Sequence, residues 1–116
     1  HLKELILHCD LKRKDTIFYF TTCGWMMWNW LITSLSVGST IVLYDGSPSY
    51  PSIDRLWKLV EELGITVFGT SAKFIDSCNK SGLSLKSKYD LSSLRSILST
   101  GSPLADLNFD YVFLKL

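Results

Sequence analysis

Residues Ile17–Pro48, IFYFTTCGWMMWNWLITSLSVGSTIVLYDGSP, decide the fold. The stretch carries no charged residue before Asp45 and changes its hydrophobic period twice. Ile17–Thr21 is rich in β-branched and aromatic residues, the composition of a strand buried on both faces. Cys23-Gly24 breaks it. From Trp25 the apolar positions Trp28, Leu31, Ile32 and Leu35 fall at helical spacing. Gly38 supplies the stop just past the last turn. Thr40–Tyr44 reads as a second short strand, closed by the turn signal Asp45-Gly46-Ser47-Pro48. A strand, a helix and a strand form the βαβ unit of a parallel sheet. The run from Thr16 to Tyr44 is also long enough to cross a bilayer. Asn29, Thr21-Thr22 and the cluster Ser34, Ser36, Gly38, Ser39, Thr40 weigh against a membrane span, and one span needs no change of period.

Outward from this centre the pattern repeats. Upstream, Leu2, Leu5 and Ile6 suggest the last turns of a helix, and Asp10–Asp15 a charged surface connection. Downstream, Ser52 is an N-cap candidate after Pro51, and Ile53, Leu56, Trp57, Val60 and Leu63 form one apolar helix face ended by Gly64. Trp57 reads as core. Asp54 and Lys58 sit one turn apart on the opposite side. Ile65–Phe68 is a third strand, Gly69-Thr70-Ser71 a turn, and a short helix follows with Phe74, Ile75 and Cys78 inward. Lys80–Tyr89 is a polar loop. Leu94–Leu98 is a fourth strand, ending in Ser99-Thr100-Gly101-Ser102-Pro103. Leu104, Leu107, Tyr111 and Leu114 mark a closing helix with Pro103 at its first turn.

The resulting order, β-α-β-α-β-α-β with a helix at each end, is that of an α/β protein with a mostly parallel sheet. Ligands of such sheets bind beyond the carboxyl ends of the strands. The segments expected there are Thr21–Met27, Gly69–Ala72 and Ser99–Pro103.

The totals exclude several function classes. The chain has 116 residues and a net charge of +1, with no basic stripe, so nucleic acid is not an expected partner. Lys12-Arg13-Lys14 reads as a solvated loop. Cys9, Cys23 and Cys78 are too few and too far apart for a disulfide framework or a zinc site, and reduced cytosolic thiols are the plain reading. Both histidines, His1 and His8, lie in the first eight residues, so no Ser-His-Asp set is suggested. No GxxxxGK[ST] loop occurs. The sequence begins at His1, with no signal-peptide pattern, and is expected to be a piece of something longer.

Two segments carry the remaining information. Trp25-Met26-Met27-Trp28-Asn29-Trp30 holds three tryptophans in six positions, which cannot share one helix face. Core packing accounts for some of them, and others must meet a neighbouring element or a cavity. Ser99-Thr100-Gly101-Ser102-Pro103 offers hydroxyls, a residue without a side chain and a fixed turn. It serves either as a simple strand-end turn or as a place of close approach to a flat ring.

GWMMWNW and VLYDGSP, with LHCDL upstream and STGSPL downstream, resemble the acetoacetyl-CoA synthetase branch of the adenylate-forming acyl-CoA synthetase superfamily, close to acetyl-CoA synthetase. The resemblance runs from Leu2 to about Leu104, while Ala105–Leu116 departs from the family pattern. It implies a ligase acting on acetoacetate, ATP and CoA, giving acetoacetyl-CoA, AMP and pyrophosphate through an acyl-adenylate, in cytosolic lipid metabolism. Residues 1–116 would be an internal piece of the large N-terminal domain of an AMP-forming synthetase. The phosphate loop, the Mg²⁺-binding motif and the C-terminal domain would lie outside it, so this piece alone is expected to be inactive and to associate with the missing parts of the same chain. By position, Trp25, Met26, Met27 and Thr100 would line the acyl pocket. Gly101, Ser102 and Pro103 would pack on the adenine ring, with Ser102 departing from the Gly-Glu-Pro of many relatives. Ser71 would lie near bound CoA. An acetyl- or propionyl-CoA synthetase, or a truncated non-catalytic interaction protein, remains the alternative.

Overall fold

Alternate side chains of the first strand enter two different cores, and this fixes a layered body. The computed structural model describes residues 3–21, 24–44, 46, 53–82 and 88–115, the last helix by its backbone alone at 109 and 113–115. Strand β1 is Thr16–Tyr19, β2 Thr40–Val42, β3 Val67–Ser71 and β4 Ser96–Thr100. All pair in parallel in the order β2-β1-β3-β4. Helices α1 (Met26–Thr33), α2 (Arg55–Leu63), α3 (Ala72–Lys80) and α4 (Asp106–Lys115) alternate with the strands. The chain enters through a π-helical turn, Glu4–His8, and a 3-10 turn, Ser34–Val37, extends α1. The expected α/β architecture with a parallel sheet is what the chain adopts.

On one face, Ile17 and Tyr19 of β1 and Val67 of β3 pack with Leu5, Leu11, Trp30 and Leu31. On the other, Phe18 and Phe68 pack with Leu56, Trp57, Val60, Phe74, Ile75 and Tyr111. The alternation is the period-2 geometry of a strand covered on both sides. Trp57 is fully buried, its ring edge-on to Phe68 and stacked near Phe74, so its reading as core is correct. Gly38 and Gly64 end their helices in the left-handed conformation, as their positions predicted. Among the described residues no helix is long and apolar enough to cross a membrane.

Several local expectations are corrected. Gly69-Thr70-Ser71 is not a turn: β3 runs to Ser71 and α3 begins at Ala72. Ser99-Thr100 likewise belongs to β4. Pairing between β3 and β4, Thr70 with Ser99 and Ser71 with Thr100, keeps both segments extended, which outweighs their turn-like composition. The buried face of α1 is Trp30 and Leu31; Trp28 and Ile32 are half-buried and Leu35 is exposed. Asp54 is buried rather than on the solvent face, bound by Lys88 and by the Tyr89 hydroxyl at 2.8 Å, and Lys58 faces Glu62 instead. In α4, Tyr111 is buried but Leu107 is exposed, and Asn108 takes the inward position. Helix α4 starts at Asp106, three residues past Pro103. The Asp45–Pro48 turn apart from Gly46, the Ser52 cap, Cys23 and most of the Lys80–Tyr89 loop lie outside the described residues.

Candidate functional site

The order β2-β1-β3-β4 places the switch in winding direction between β1 and β3. Connections from neighbouring strands leave the sheet there on opposite sides, which opens a crevice at the carboxyl edge. One residue past β1, the Phe20 amide donates to the Gly69 carbonyl at 2.9 Å, holding these two ends together.

A cavity of about 460 Å³ lies at this edge, on the α1 side of the sheet. Its walls come from Met26, Met27 and Trp30 of α1, Tyr19 of β1, Ile97 to Thr100 of β4, and Glu4 and Cys9 of the entering segment. The lining is apolar with a few polar groups, as small-molecule pockets generally are. Its best-placed polar pair is Tyr19 and Thr100, whose hydroxyls are hydrogen-bonded to each other. Burial pushes the Tyr19 phenol above its ordinary value, and the Thr100 bond offsets part of the rise. The Tyr19 hydroxyl also lies 3.5 Å from the Thr70 carbonyl, the limit of a useful bond. The Tyr19 ring meets Trp30 edge-on, with centroids 6.0 Å apart.

The expected site residues separate into groups. Met26, Met27 and Thr100 come together around this cavity. Trp25 is not among the lining residues and sits just before α1; it is exposed, as is Met26 at the open rim. Gly101, Ser102 and Pro103 follow Thr100 as an exposed corner, with Gly101 at φ +94°. Ser71 caps α3, its hydroxyl accepting from the Phe74 amide at 3.1 Å. Sequence reasoning missed Tyr19 as a site residue, because an aromatic inside a strand looks like any other core residue. Among the described residues no group of three or more His, Cys, Asp or Glu could hold a metal ion.

A polar clamp closes the opposite, amino edge. Arg95, just before β4, donates to Asp15 through Nη2 at 2.7 Å and Nε at 3.3 Å. The same guanidinium reaches the carbonyls of Cys9 at 3.1 Å and Asp10 at 2.9 Å. Asp15 also accepts from the Thr66 hydroxyl at 2.9 Å and the Lys12 amide at 2.8 Å. Burial by itself would raise the Asp15 carboxyl, but the bonds from Arg95, Lys12 and Thr66 and the Arg95 charge hold it down at about 2. The clamp fixes the Cys9–Asp10 corner, and Cys9 is part of the cavity wall. Lys12, Arg13 and Lys14 are exposed, as a solvated loop should be.

A doubly wound parallel sheet with an apolar cavity beyond its strand ends defines a small-molecule-binding α/β protein. The chain belongs to the AMP-binding enzyme family, whose pattern it matches over residues 2–106. It is 52% identical over 113 residues to the acetoacetyl-CoA synthetase of Danio rerio, covering 97% of this chain and 17% of that protein. It is 40% identical over 127 residues to a malonamoyl-CoA synthetase of Penicillium aethiopicum, covering 97% of this chain and 18% of that one. Among solved structures, acetoacetyl-CoA synthetase from Streptomyces lividans superposes with a TM-score of 0.93 at 47% identity, over 97% of this chain and 17% of that chain. The chain thus spans about a sixth of the length of these relatives.

Proposed function

We propose that residues 1–116 are an internal segment of the large N-terminal domain of an ATP-dependent acid–thiol ligase that converts acetoacetate, ATP and CoA to acetoacetyl-CoA, AMP and pyrophosphate. The observation that carries the reading is the shared cavity of Met26, Met27 and Thr100. In this reading the carboxylate of the acid attacks the α-phosphorus of ATP, pyrophosphate leaves, and the CoA thiolate then displaces AMP from the acyl-adenylate. Met26, Met27 and Trp30 shelter the short carbon chain. Thr100 donates its hydroxyl hydrogen to the oxygen on the third carbon. The exposed Gly101-Ser102-Pro103 corner approaches the adenine ring, and Ser71 lies toward CoA.

The acyl groups named in two relatives, acetoacetyl and malonamoyl, both carry a carbonyl at the third carbon. Apolar walls separate near-isosteric acids by only about 1–3 kcal/mol, whereas a donor that an analogue leaves unpaired separates them further. Thr100 is the residue that makes a keto acid the fitting substrate. The exposed apolar side chains Leu7, Trp25, Leu43 and Leu107 are assigned to contacts with the remainder of the same polypeptide, which in the relatives is about five times this length. The free thiols Cys9 and Cys78 fit a cytosolic enzyme.

Exchange of labelled pyrophosphate into ATP by the full-length polypeptide, measured with acetate, propionate, butyrate, acetoacetate and a long fatty acid, tests the reading. Acetoacetate is expected to give the highest kcat/KM. A preference for the long fatty acid overturns it.

A further inference from the structure

We propose that Tyr19 is a positioning residue for substrate choice: its phenol donates to Thr100 Oγ1 and thereby commits the Thr100 hydrogen to a carbonyl oxygen in the cavity. The inference rests on the ligase reading above and deepens it. Two hydroxyls in one hydrogen bond share a single hydrogen between them, so one must donate and the other keeps its own hydrogen free. The phenol is the stronger acid of the two and takes the donor role. Were Thr100 to donate instead, the Tyr19 hydrogen would be left with the Thr70 carbonyl at 3.5 Å, a poor acceptor geometry. A chain running from Tyr19 through Thr100 to the ligand also polarises each bond in the same sense, which strengthens the last one.

The phenol can hold Thr100 because its own ring is immobilised. A Cβ at position 69 would lie 2.1 Å from Tyr19 Cδ2, so the ring lies directly on the Gly69 backbone. Trp30 closes on it edge-first. Thr100 has no such enclosure: it is exposed at the last position of β4. Without the phenol its hydroxyl would rotate among three staggered positions, only one of which suits the ligand.

The test uses Tyr19→Phe, Thr100→Val and the double variant of the full-length polypeptide, with acetoacetate and butyrate as the compared acids. Butyrate matches acetoacetate in chain length but lacks the keto oxygen. Pyrophosphate exchange is expected to show that Tyr19→Phe reduces the acetoacetate-over-butyrate ratio of kcat/KM by about tenfold, through KM for acetoacetate. KM for ATP is expected to stay within about twofold of wild type, and kcat/KM for butyrate to fall by clearly less than that for acetoacetate. Thr100→Val, which removes the donor hydroxyl itself, should reduce the ratio at least as far, and the double variant no further than Thr100→Val. Equal losses for both acids in Tyr19→Phe would assign the phenol a purely structural role and overturn the proposal, as would an unchanged ratio. A wild-type enzyme with no preference for acetoacetate over butyrate would overturn the substrate reading itself, and the role of Tyr19 with it.

Discussion

The ring of Tyr19 occupies the space in which a side chain at position 69 would begin. A Cβ built on Gly69 falls 2.1 Å from Tyr19 Cδ2 and 2.3 Å from Cε2, closer than atoms can approach. The two residues are register partners on adjacent parallel strands, so neither backbone can retreat without breaking the sheet. Gly69 is needed here for closeness of packing rather than for an unusual backbone angle. Gly69→Ala is therefore expected to cost about 3 kcal/mol or more, at the upper end of overpacking substitutions. Denaturant unfolding of the full-length polypeptide checks it. Combined with Tyr19→Ala, the loss should be smaller than the sum of the two single losses.

Asp15 and Arg95 give a pH dependence with a definite sign. The Asp15 carboxyl sits at about 2 in the folded chain against an ordinary 3.8. A depressed carboxyl contributes stability that is complete above the ordinary value and is lost as pH falls toward the folded one. Stability attributable to this clamp should decline between about pH 4 and pH 2. Asp15→Asn should flatten that part of the stability profile. It should also cost about 1–2 kcal/mol at neutral pH, less than a fully buried pair would, because the Arg95 guanidinium is partly solvated and keeps its bonds to the Cys9 and Asp10 carbonyls. Unfolding midpoints measured across the acid range test both statements.

Gly101 poses the opposite case to Gly69. Its Cβ would meet nothing within 4 Å, but its φ is +94°. Gly101→Val is expected to cost about 1–2 kcal/mol from backbone strain alone. Gly101→Asn should cost less, since Asn visits this region more readily. If the corner does lie on the adenine ring, Gly101→Val should also raise KM for ATP while leaving KM for the acid unchanged.

Cys78 is expected to resist thiol reagents in the native state. Burial pushes its thiol up, only partly offset by the Trp57 indole N–H at 3.5 Å, and the residue is closed off from solvent altogether. Mass spectrometry after brief alkylation should find Cys78 unmodified in native protein and modified after denaturation. Trp57→Ala, which removes a fully buried ring from the same core, should cost about 3–5 kcal/mol. It should also expose Cys78 to the reagent.

The order of elements, the parallel sheet and the core role of Trp57 were all legible from periodicity and from glycine placement. Met26, Met27 and Thr100 fell in segments that the strand-end rule singles out, but their meeting around one pocket was legible only through family likeness. No spacing rule connects positions more than seventy residues apart, and they meet because β1, β3 and β4 lie side by side. The turn-like composition of Gly69-Thr70-Ser71 misled, because a residue without a side chain was required there by Tyr19, not by chain reversal. Asp54 misled as well, since its partners Lys88 and Tyr89 come from a distant segment.

The amino-acid sequence by itself determined which segments are strands and which helices, because alternation and helical spacing are properties of neighbouring residues. Only the tertiary structure decided that Tyr19 is wedged between Gly69 and Trp30 with its hydroxyl on Thr100. Strand order sets that arrangement, and strand order is an outcome of long-range packing that no local pattern encodes.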